Sequence, residues 1–330
     1  MIIVTGGAGF IGSNILAGLE QAGYRNTIVV DWLGNEDKWK NIAKRKLFDI
    51  VPPEDISTIL SKYRSEIDTI VHMGAISTTT EKDVDLIVRS NIRLTWDLWE
   101  FCRDFGKRFI FASSAATYGA GENGFEDDAS PEYLNRLRPL NPYGWSKAFI
   151  DRKIADIVAA GGNGKMPCQF TGLKFFNVYG PNEYHKGGQK SVVAHIFPRV
   201  QNDETVQLFK SYKPEYENGG QLRDFVWVAD IVSVILWLLE HPHVSGLFNI
   251  GSGEARSFAD LARAVWKAMN KMPKIEYIDM PEGLRQQYQY YTQANIKKLR
   301  EAGYTNPMTA LEDGIEIYVR DFLNQDDRYL

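Results

Sequence analysis

Short apolar runs alternate with longer helical patterns through the first half of the chain. The runs are rich in β-branched and aromatic residues: "IIVT" (2–5), "NTIVVD" (26–31), "DTIVHM" (68–73), "RFIFASS" (108–114) and "QFTGLKFF" (169–176). Helical spacing of apolar residues covers 10–23, 83–105 and 141–160, and glycine ends or follows each pattern. Strands this apolar, separated by helices, are typical of a parallel sheet covered on both faces. The sequence therefore predicts an α/β fold with a doubly wound, Rossmann-type parallel sheet.

The second half of the chain has shorter elements and more polar loops. Asn, Gly, Pro, His and Lys crowd residues 177–190, and "SYKPEYENGGQ" (211–221) is the most loop-like stretch. We predict a sheet domain at 1–176, with returns around 223–251, and a smaller C-terminal substrate-binding lobe at 177–222 and 252–330. The lobe should close over the carboxyl ends of the strands, where open α/β sheets bind their ligands.

Composition excludes several classes of function. With 38 basic and 42 acidic side chains among 330 residues, neither a nucleic-acid groove nor an anionic membrane surface is expected as a partner. The cysteines, Cys102 and Cys168, are too few for a disulfide framework or a cysteine zinc site, and no metal site is predicted. No apolar run reaches transmembrane length, and the first segment lacks the features of a signal peptide. We expect a cytoplasmic protein.

A glycine-rich turn follows the first apolar run. In "VTGGAGFIGSN", Gly6, Gly9 and Gly12 stand between the predicted strand and the predicted helix. Glycines let the backbone approach a pyrophosphate, which then accepts from amide hydrogens at the positive end of the helix dipole. Asp31 ends the second run about 20 residues further on, where a carboxylate holds ribose hydroxyls. The spacing predicts a dinucleotide site.

The residues after Asp31 leave the choice of dinucleotide open. Asp31 favours NAD, because its carboxylate repels a 2′-phosphate. Five cations follow and could reach such a phosphate: Lys38, Lys40, Lys44, Arg45 and Lys46. The alternative for most of them is a solvated helix face.

The segment "YGWSK" places Tyr143 and Lys147 four residues apart, on one face of a predicted helix. The pKa of an ordinary tyrosine is about 10, too high for a base near neutral pH. A nearby ammonium and an oxidised nicotinamide both favour the phenolate and should lower this pKa. Together with Ser114 and the glycine-rich turn, the pair predicts a proton-transfer site; the alternative is an incidental pair on a helix surface.

The glycine-rich turn, "SSAATYG" and "YGWSK" together resemble the extended short-chain dehydrogenase/reductase family of nucleotide-sugar enzymes, and the resemblance covers essentially the whole chain. It implies that Tyr143 is the acid/base, that Ser114 hydrogen-bonds the reacting hydroxyl or the tyrosine, and that Lys147 binds the nicotinamide ribose. The dehydratases of the family carry an Asp–Glu pair after the threonine of the serine motif. Here Tyr118 and Gly119 follow Thr117, which excludes that reaction.

Further segments, "FFNVYGPNEYHKG" and "YTQANIKKLREAGY" among them, are similar to the branch of this family that inverts C6″ of an ADP-linked heptose. That similarity implies that Lys186 of "HKG" is a second acid/base, facing Tyr143 across the sugar. The alternative for Lys186 is a cation that pairs with a substrate phosphate. A side-chain base cannot remove hydrogen from an unactivated carbinol carbon, so transient hydride transfer to a bound nicotinamide is expected, and two sugar faces require two acid/base groups.

The resemblance also implies further site residues. At the cofactor it points to Phe10, Ile11, Trp32, Lys38, Asp49, Met73, Gly74, Ala75 and Asn91; at the substrate, besides Ser114 and Lys186, to Asn177, His195, Phe209, Lys210, Ser211, Arg223 and Tyr288. Lys38 matches a position near the 2′-phosphate, so NADP is the preferred cofactor and NAD the alternative. His195 is alternatively an ordinary packed helix histidine.

Three features depart from the family pattern. Met73 replaces an acidic residue, Gly188 replaces a serine, and an insertion at 212–222 separates Ser211 from Arg223. The enzyme alternative is a UDP-hexose 4-epimerase. A cofactor-binding scaffold or redox sensor is disfavoured because such proteins typically lack the tyrosine or the lysine. The resemblance implies a homo-oligomer, a pentamer in the family.

Overall fold

The computed structural model describes residues 1–162, 164, 166–285 and 288–330. Its strands are β1 (Ile2–Thr5), β2 (Thr27–Val30), β3 (Asp49–Val51), β4 (Thr69–His72), β5 (Arg108–Ser114), β6 (Gln169–Phe175), β7 (Asn177–Tyr179), β8 (Val206–Phe209), β9 (Leu222–Trp227), β10 (Gly246–Ile250), β11 (Ala255–Ser257) and β12 (Ile275–Ile278). Seven of them form one sheet in the order β10-β6-β5-β4-β1-β2-β3, with every pair parallel. The predicted doubly wound α/β fold is confirmed.

The helices lie between and around these strands. They are α1 (Phe10–Gln21), α2 (Ile56–Lys62), α3 (Val84–Ile87), α4 (Leu94–Asp104), α5 (Pro131–Arg136), α6 (Pro142–Ala159), α7 (Val192–Gln201), α8 (Val228–Glu240), α9 (Phe258–Ala268), α10 (Glu282–Arg285), α11 (Lys297–Glu301) and α12 (Leu311–Tyr318). A π-helical segment, Val88–Arg93, joins α3 to α4, so the helix predicted at 83–105 is continuous but locally wider. None of the described helices combines the length and apolar character needed to cross a bilayer.

All five predicted strands are present, whereas β3 was not predicted. The four residues of β1, β2 and β4 are buried on both faces, which explains their uninterrupted apolar runs. By contrast, β3 is a three-residue edge strand without a buried residue, so its sequence carries no apolar run. Edge strands need less apolar surface because one side of them faces solvent.

The second half of the chain contributes elements both to the main sheet with its helices and to the smaller lobe. Helix α8 packs against α1, and β10 completes the main sheet beside β6. Strand β9, within the predicted return at 223–251, pairs instead with β7 and β11 in a three-stranded sheet. A separate apolar core joins this sheet to α7, α9 and α12, and β8 pairs with β12 above it. The division into two domains stays a prediction, and the separate core of the smaller lobe favours it, whereas Leu299 and Tyr304 of the predicted lobe pack in a main-sheet core.

Candidate active site and dinucleotide cleft

A cavity of about 750 Å³ lies at the carboxyl ends of the main-sheet strands, between them and the smaller lobe. Most of the predicted site residues line it: Gly6, Gly9, Phe10, Ile11, Gly12, Asp31, Trp32, Lys38, Met73, Gly74, Ala75, Ser114, Tyr143, Lys147, Asn177 and Lys186. Residues far apart in the sequence therefore converge on one cleft, as the strand order requires.

The glycine-rich turn leaves no room for side chains. Gly6 has a φ of 65°, and a Cβ there would lie 2.6 Å from the amide nitrogen of Gly74. A Cβ on Gly12 would lie 2.1 Å from the carbonyl oxygen of Gly6. The turn therefore packs backbone against backbone while α1 begins directly after it, at Phe10. This geometry fits a dinucleotide pyrophosphate at the start of α1.

Asp31 lies at the end of β2, where its carboxylate has two partners. Oδ2 accepts from the amide of Ala8 at 2.9 Å, and Oδ1 pairs with the Lys38 ammonium at 2.6 Å. Lys38 also donates to the carbonyl oxygen of Trp32 at 2.7 Å. A carboxylate at the position predicted to bind ribose and a cation therefore share one corner of the cleft.

Of the five cations that follow Asp31, Lys38 is the one that lines the cavity. Lys40 pairs with Asp37, Lys44 with Asp327 and Arg45 with Glu20. Lys44 and Lys46 are exposed, which agrees with the predicted solvated face, whereas Arg45 is half-buried against Glu20.

Ser114, Tyr143 and Lys147 meet because β5 ends where α6 begins. Ser114 is the last residue of β5, and Asn141 caps α6 by accepting from the amide of Gly144 at 2.8 Å, with Pro142 in the first turn. The helix thus starts just before Tyr143. Lys147, one turn later, is buried. The face predicted from the four-residue spacing therefore points into the cleft.

Burial shifts the pKa of both residues of the pair. It lowers the pKa of Lys147 to about 8, against an opposing effect of Asp151. Burial also raises the pKa of Tyr143, and Asp151 adds to the rise, whereas hydrogen bonding with Ser114 lowers it. The protein's own groups thus shift Tyr143 in the direction opposite to that expected from Lys147 alone. The pKa of the Lys147 amine therefore moves toward neutral pH, whereas the pKa of the Tyr143 phenol moves away from it.

Lys186 reaches the cleft from the smaller lobe. It lies in a 3₁₀ segment, Tyr184–Gln189, and its ammonium is 5.6 Å from the ring centre of Phe10 in the glycine-rich turn. Burial lowers the pKa of Lys186, and Glu183 opposes that shift. Glu183 is buried and accepts from Ser191 Oγ at 2.6 Å and from the Tyr318 hydroxyl at 2.9 Å. Lys186 thus stands at the cofactor turn, anchored through its neighbour Glu183.

Two residues predicted at the cofactor lie away from the cavity surface. Asn91, in the π-helical segment, is fully buried; its amide accepts from the amide of Ile76 and donates to Ile76 O and Ser146 Oγ. It therefore supports the cleft from behind. Asp49 begins β3, at the opposite end of that strand from the cleft, and accepts from its own neighbour Ile50. Strand direction thus argues against a cofactor contact for Asp49.

The remaining predicted substrate residues lie outside the cavity lining, in the smaller lobe: His195, Phe209, Lys210, Ser211, Arg223 and Tyr288. His195 is exposed on α7, with Nε2 3.2 Å from the carbonyl oxygen of Gly188, so it is not a packed helix histidine. Lys210 pairs with Asp279 at 3.3 Å. The rings of Phe209 and Tyr288 meet edge to face at 6.3 Å.

Arg223 is a buried cation with no carboxylate partner in the part of the chain that the structure describes. It is 8% exposed, and burial lowers its pKa. Its guanidinium lies 5.3 Å from the ring centre of Tyr288 and 5.6 Å from that of Phe258, which lines the cavity. A buried guanidinium held by aromatic rings next to a cleft is suited to a phosphate.

The sequence did not indicate two residues that shape this site. His185 lines the cavity beside Lys186, contacts the Asn41 amide at 3.1 Å, and has its pKa lowered to about 4 by burial and by the charges of Lys38 and Lys186. The motif "HKG" contains it, but only the lysine was assigned a role. Glu183 depends on Tyr318, 135 residues away, and no local pattern indicates such a contact.

Comparison with known proteins identifies the family. Residues 2–251 match the NAD dependent epimerase/dehydratase family. The chain is 46% identical over 338 residues, 100% of both chains, to the ADP-L-glycero-D-manno-heptose-6-epimerase of Fusobacterium nucleatum. The crystal structure of the same-named enzyme from Helicobacter pylori is 27% identical and superposes with a TM-score of 0.75, covering 97% of this chain and 95% of that one.

A UDP-glucose 4-epimerase from Thermus thermophilus, solved in complex with NAD, is 26% identical with a TM-score of 0.72, covering 96% of this chain and 97% of that one. These similarities span both halves of the molecule, including the cleft. The chain belongs to the NAD dependent epimerase/dehydratase family.

Proposed function

We propose that this protein is an ADP-glyceromanno-heptose 6-epimerase, which interconverts the D-glycero and L-glycero forms of ADP-linked manno-heptose. The observation that carries the proposal is that one cavity is lined by Tyr143 of α6 and by Lys186, which reaches it from the smaller lobe near Phe10 of the glycine-rich turn. The full-length identity of 46% to a heptose epimerase supports it. A simple dehydrogenase needs one acid/base group, whereas inversion needs one for each face of the sugar.

The sheet side of the cleft supplies one proton-transfer group. Gly6, Gly9, Gly12 and Asp31 would hold a nicotinamide cofactor, which would supply reversible hydride transfer at C6″. Tyr143 exchanges a proton with the 6″ oxygen, and Ser114 orients that oxygen or the phenol. Lys147 stabilises the phenolate as it forms, which opposes the rise in the Tyr143 pKa that burial causes. Its own pKa of about 8 keeps it mainly protonated at neutral pH.

The smaller lobe supplies the second group. Partial burial lowers the pKa of Lys186, so it reaches the neutral amine form, which can accept a proton, at less cost than an exposed lysine does. Glu183 holds the segment in place through Ser191 and Tyr318. Lys186 therefore serves the sugar face that Tyr143 does not reach.

Arg223 and the aromatic residues around it are proposed to bind the nucleotide end of the substrate. The guanidinium has no carboxylate partner among the described residues, and Phe258 separates it from the cavity. A diphosphate would supply the missing counter-charge, and Tyr288 and Phe209 offer faces on which a base can stack.

The preferred cofactor is NADP. The family is NAD dependent, and the solved relative from Thermus thermophilus contains NAD. In this chain, however, Lys38 pairs with Asp31 at 2.6 Å and lines the cleft. It partly neutralises the carboxylate that would repel a 2′-phosphate, and it offers that phosphate a partner.

The proposal is tested by product analysis. Purified protein is incubated with ADP-D-glycero-D-manno-heptose and, separately, with UDP-galactose, and the products are followed by ¹H NMR. We expect the L-glycero epimer from the first substrate and no conversion of the second. Conversion of UDP-galactose alone would identify a UDP-hexose 4-epimerase. Conversion of neither, by protein shown by mass spectrometry to hold nicotinamide cofactor, would contradict both assignments.

A further inference from the structure

A buried ion pair lies beneath the candidate catalytic residues. Lys174 of β6 and Asp151 of α6 have side chains 0% and 1% exposed, with 2.7 Å between Nζ and Oδ2. The ammonium also donates to Thr117 Oγ1 at 2.6 Å and lies 4.7 Å from the ring centre of Tyr118. Burying a charge costs several kcal/mol per ion, so a pair at this depth is weak support for stability alone. Its position suggests another role.

Both partners of the pair are tied to the strand end that carries Ser114. Ser113, the residue before it, donates to Asp151 Oδ2 at 2.8 Å. Thr117, which accepts from Lys174, donates to the carbonyl oxygen of Ser114 at 2.8 Å. The pair is therefore hydrogen-bonded to residues on both sides of Ser114 in the sequence, Ser113 and Thr117.

The same pair is tied to the helix that carries Tyr143 and Lys147. Asp151 follows Lys147 by four residues and Tyr143 by eight on α6, so the three side chains share one helix face. The ion pair thus connects α6 to β5 and β6 directly beneath the site.

Sheet register extends this connection into a polar row. Lys174 pairs with Ser113 on one neighbouring strand and with Asn249 on the other. All three are buried, and the Tyr118 hydroxyl donates to Asn249 Oδ1 at 2.6 Å. A polar row through an otherwise apolar sheet fixes the strands in one register, because its hydrogen bonds cannot be remade after a slip.

Asp151 also determines the charge beneath the site. It raises the pKa of Lys147 and of Tyr143, and its Oδ1 is buried without a hydrogen-bond partner among the described residues. Of the other buried groups nearby, His72 of β4 is neutral, since burial and Lys147 lower its pKa to about 3. Charged side chains on other elements packed against α6 are exposed: Asp85 of α3, Arg89 and Arg93 of the π-helical segment, and Glu132 and Arg136 of α5.

We propose that Asp151 and Lys174 form one positioning unit, which fixes the Ser114 segment against the helix that carries Tyr143 and Lys147 and places a negative charge beneath Lys147. Neither residue lines the cavity in which cofactor and substrate are proposed to bind. The importance of the unit for catalysis rests on the proposed roles of Tyr143 and Lys147, but its effect on Lys147 does not.

The effect on Lys147 is measured without substrate. Protein labelled with ¹³C and ¹⁵N in lysine is titrated by NMR, and the Lys147 signal is assigned by its loss in Lys147→Arg. Asp151→Asn removes the favourable charge and should lower the Lys147 pKa by about 1 unit. Lys174→Met leaves Asp151 uncompensated and should raise it. Asp156→Asn, an exposed carboxylate of the same helix, is the matched control and should leave it unchanged.

The double variant Asp151→Asn/Lys174→Met covers the case in which a single variant does not fold. Replacing a buried ion pair by neutral side chains is often tolerated, whereas removing one partner is strongly destabilising. Because Asp151 raises the Lys147 pKa and the double variant removes that carboxylate, the double variant should still lower the Lys147 pKa. An unchanged Lys147 pKa in a folded Asp151→Asn or double variant would overturn the proposal. A shift of the Lys147 pKa in the same direction and by the same amount in Asp151→Asn and Lys174→Met would also overturn it.

A pH–rate profile then tests the catalytic consequence. Turnover requires Tyr143 without its proton and Lys147 with its own, so the pKa values of both residues determine the limbs of the profile. Asp151 raises both pKa values, and the profile of Asp151→Asn should therefore move as a whole to lower pH by about 1 unit. A lower rate with an unmoved profile would show a structural role only and overturn the charge-setting role. Failure to turn over ADP-heptose at any pH would count against the proposed function and leave the NMR result standing.

Discussion

The two walls of the cleft hold their proposed acid/base residues by different means. On the sheet wall, Tyr143 and Lys147 share a capped helix face, with the buried Asp151 behind them. On the lobe wall, Lys186 lies in a short 3₁₀ segment that includes Gly187 with a φ of 52°. Its anchor is Glu183, which depends on a hydroxyl from the C-terminal helix α12. One wall is fixed by local regular structure, and the other by long-range contacts.

Each wall nevertheless combines a lysine with a buried carboxylate. Burial lowers the pKa of Lys147 and of Lys186, and Asp151 and Glu183 oppose that shift on their respective walls. Asp151 is paired with a second lysine, Lys174, whereas Glu183 is satisfied by hydroxyl and amide donors. On each wall, therefore, burial and a neighbouring carboxylate shift the lysine pKa in opposite directions, and burial outweighs the carboxylate.

Tyr143→Phe should cause the largest loss, because it removes the proton-transfer group of the sheet wall and little else. Turnover should fall by roughly 10² or more, the usual scale for a lost acid/base. Packing and cofactor content should persist, since the ring stays in place. Epimerase rate, circular dichroism and bound cofactor are measured together, with the exposed Tyr24→Phe as control. Near-normal turnover would exclude the role proposed for Tyr143.

Lys186→Met tests the lobe wall. If Lys186 transfers a proton, kcat should fall by a factor comparable to that of Tyr143→Phe, roughly 10², while the substrate Kd changes little. If it pairs with a phosphate, Kd should rise and saturating substrate should restore most of the rate. Steady-state kinetics combined with calorimetric substrate binding separate the two outcomes. Lys190→Met, on the same rim of the cavity, is the matched control.

The sequence predicted the sheet wall well because its information is local. The strand before Gly6, the cap at Asn141 and the four-residue spacing of Tyr143 and Lys147 are short patterns with direct structural consequences. The partners of Asp151 lie on β5 and β6, and a strand order cannot be read from periodicity. Burial and Asp151 raise the Tyr143 pKa in the protein alone, which the sequence did not indicate. The lowering expected from Lys147 together with an oxidised nicotinamide stays a prediction.

The lobe wall was predicted only through family resemblance. Lys186, Arg223 and Tyr288 were assigned to the substrate, and of these Lys186 lines the cavity. Arg223 lies behind Phe258, 5.6 Å from its ring centre, and matching a sequence motif cannot show that this ring stands between Arg223 and the cavity. The anchoring of Glu183 by Tyr318 joins segments 135 residues apart. Contacts of this length follow from the packing of a complete lobe.

Arg223→Gln should weaken substrate binding while sparing the chemistry. A charge-assisted hydrogen bond to a phosphate contributes about 1.5–3 kcal/mol, which corresponds to a roughly 10- to 100-fold increase in Kd. Arg223→Lys keeps the charge but loses the planar fork of the guanidinium, so its substrate Kd should lie between that of Arg223→Gln and that of the parent protein. Calorimetry with ADP and ADP-heptose measures both. A kcat loss with unchanged Kd would show that Arg223 acts on the sugar rather than on the phosphates.

Lys38→Ala should have the smallest effect, and it tests whether the sheet wall also selects the cofactor. The Lys38 ammonium is 2.6 Å from Asp31, partly exposed, and therefore partly screened by solvent. Its removal takes a partner from a 2′-phosphate and leaves the Asp31 charge free to repel it. The Kd for NADP should rise by about 10-fold, at the lower end for a charge-assisted contact. The Kd for NAD should stay constant or fall, since Asp31 then becomes available to ribose hydroxyls.

Lys40→Ala is the control, because Lys40 pairs with Asp37 outside the cavity lining. Fluorescence titration of cofactor-stripped protein with both dinucleotides provides the ratio. An equal change in the Kd for NADP and for NAD would show that Lys38 stabilises the turn without binding the 2′-phosphate. Recovery of NAD alone from the purified parent protein would reverse the cofactor assignment.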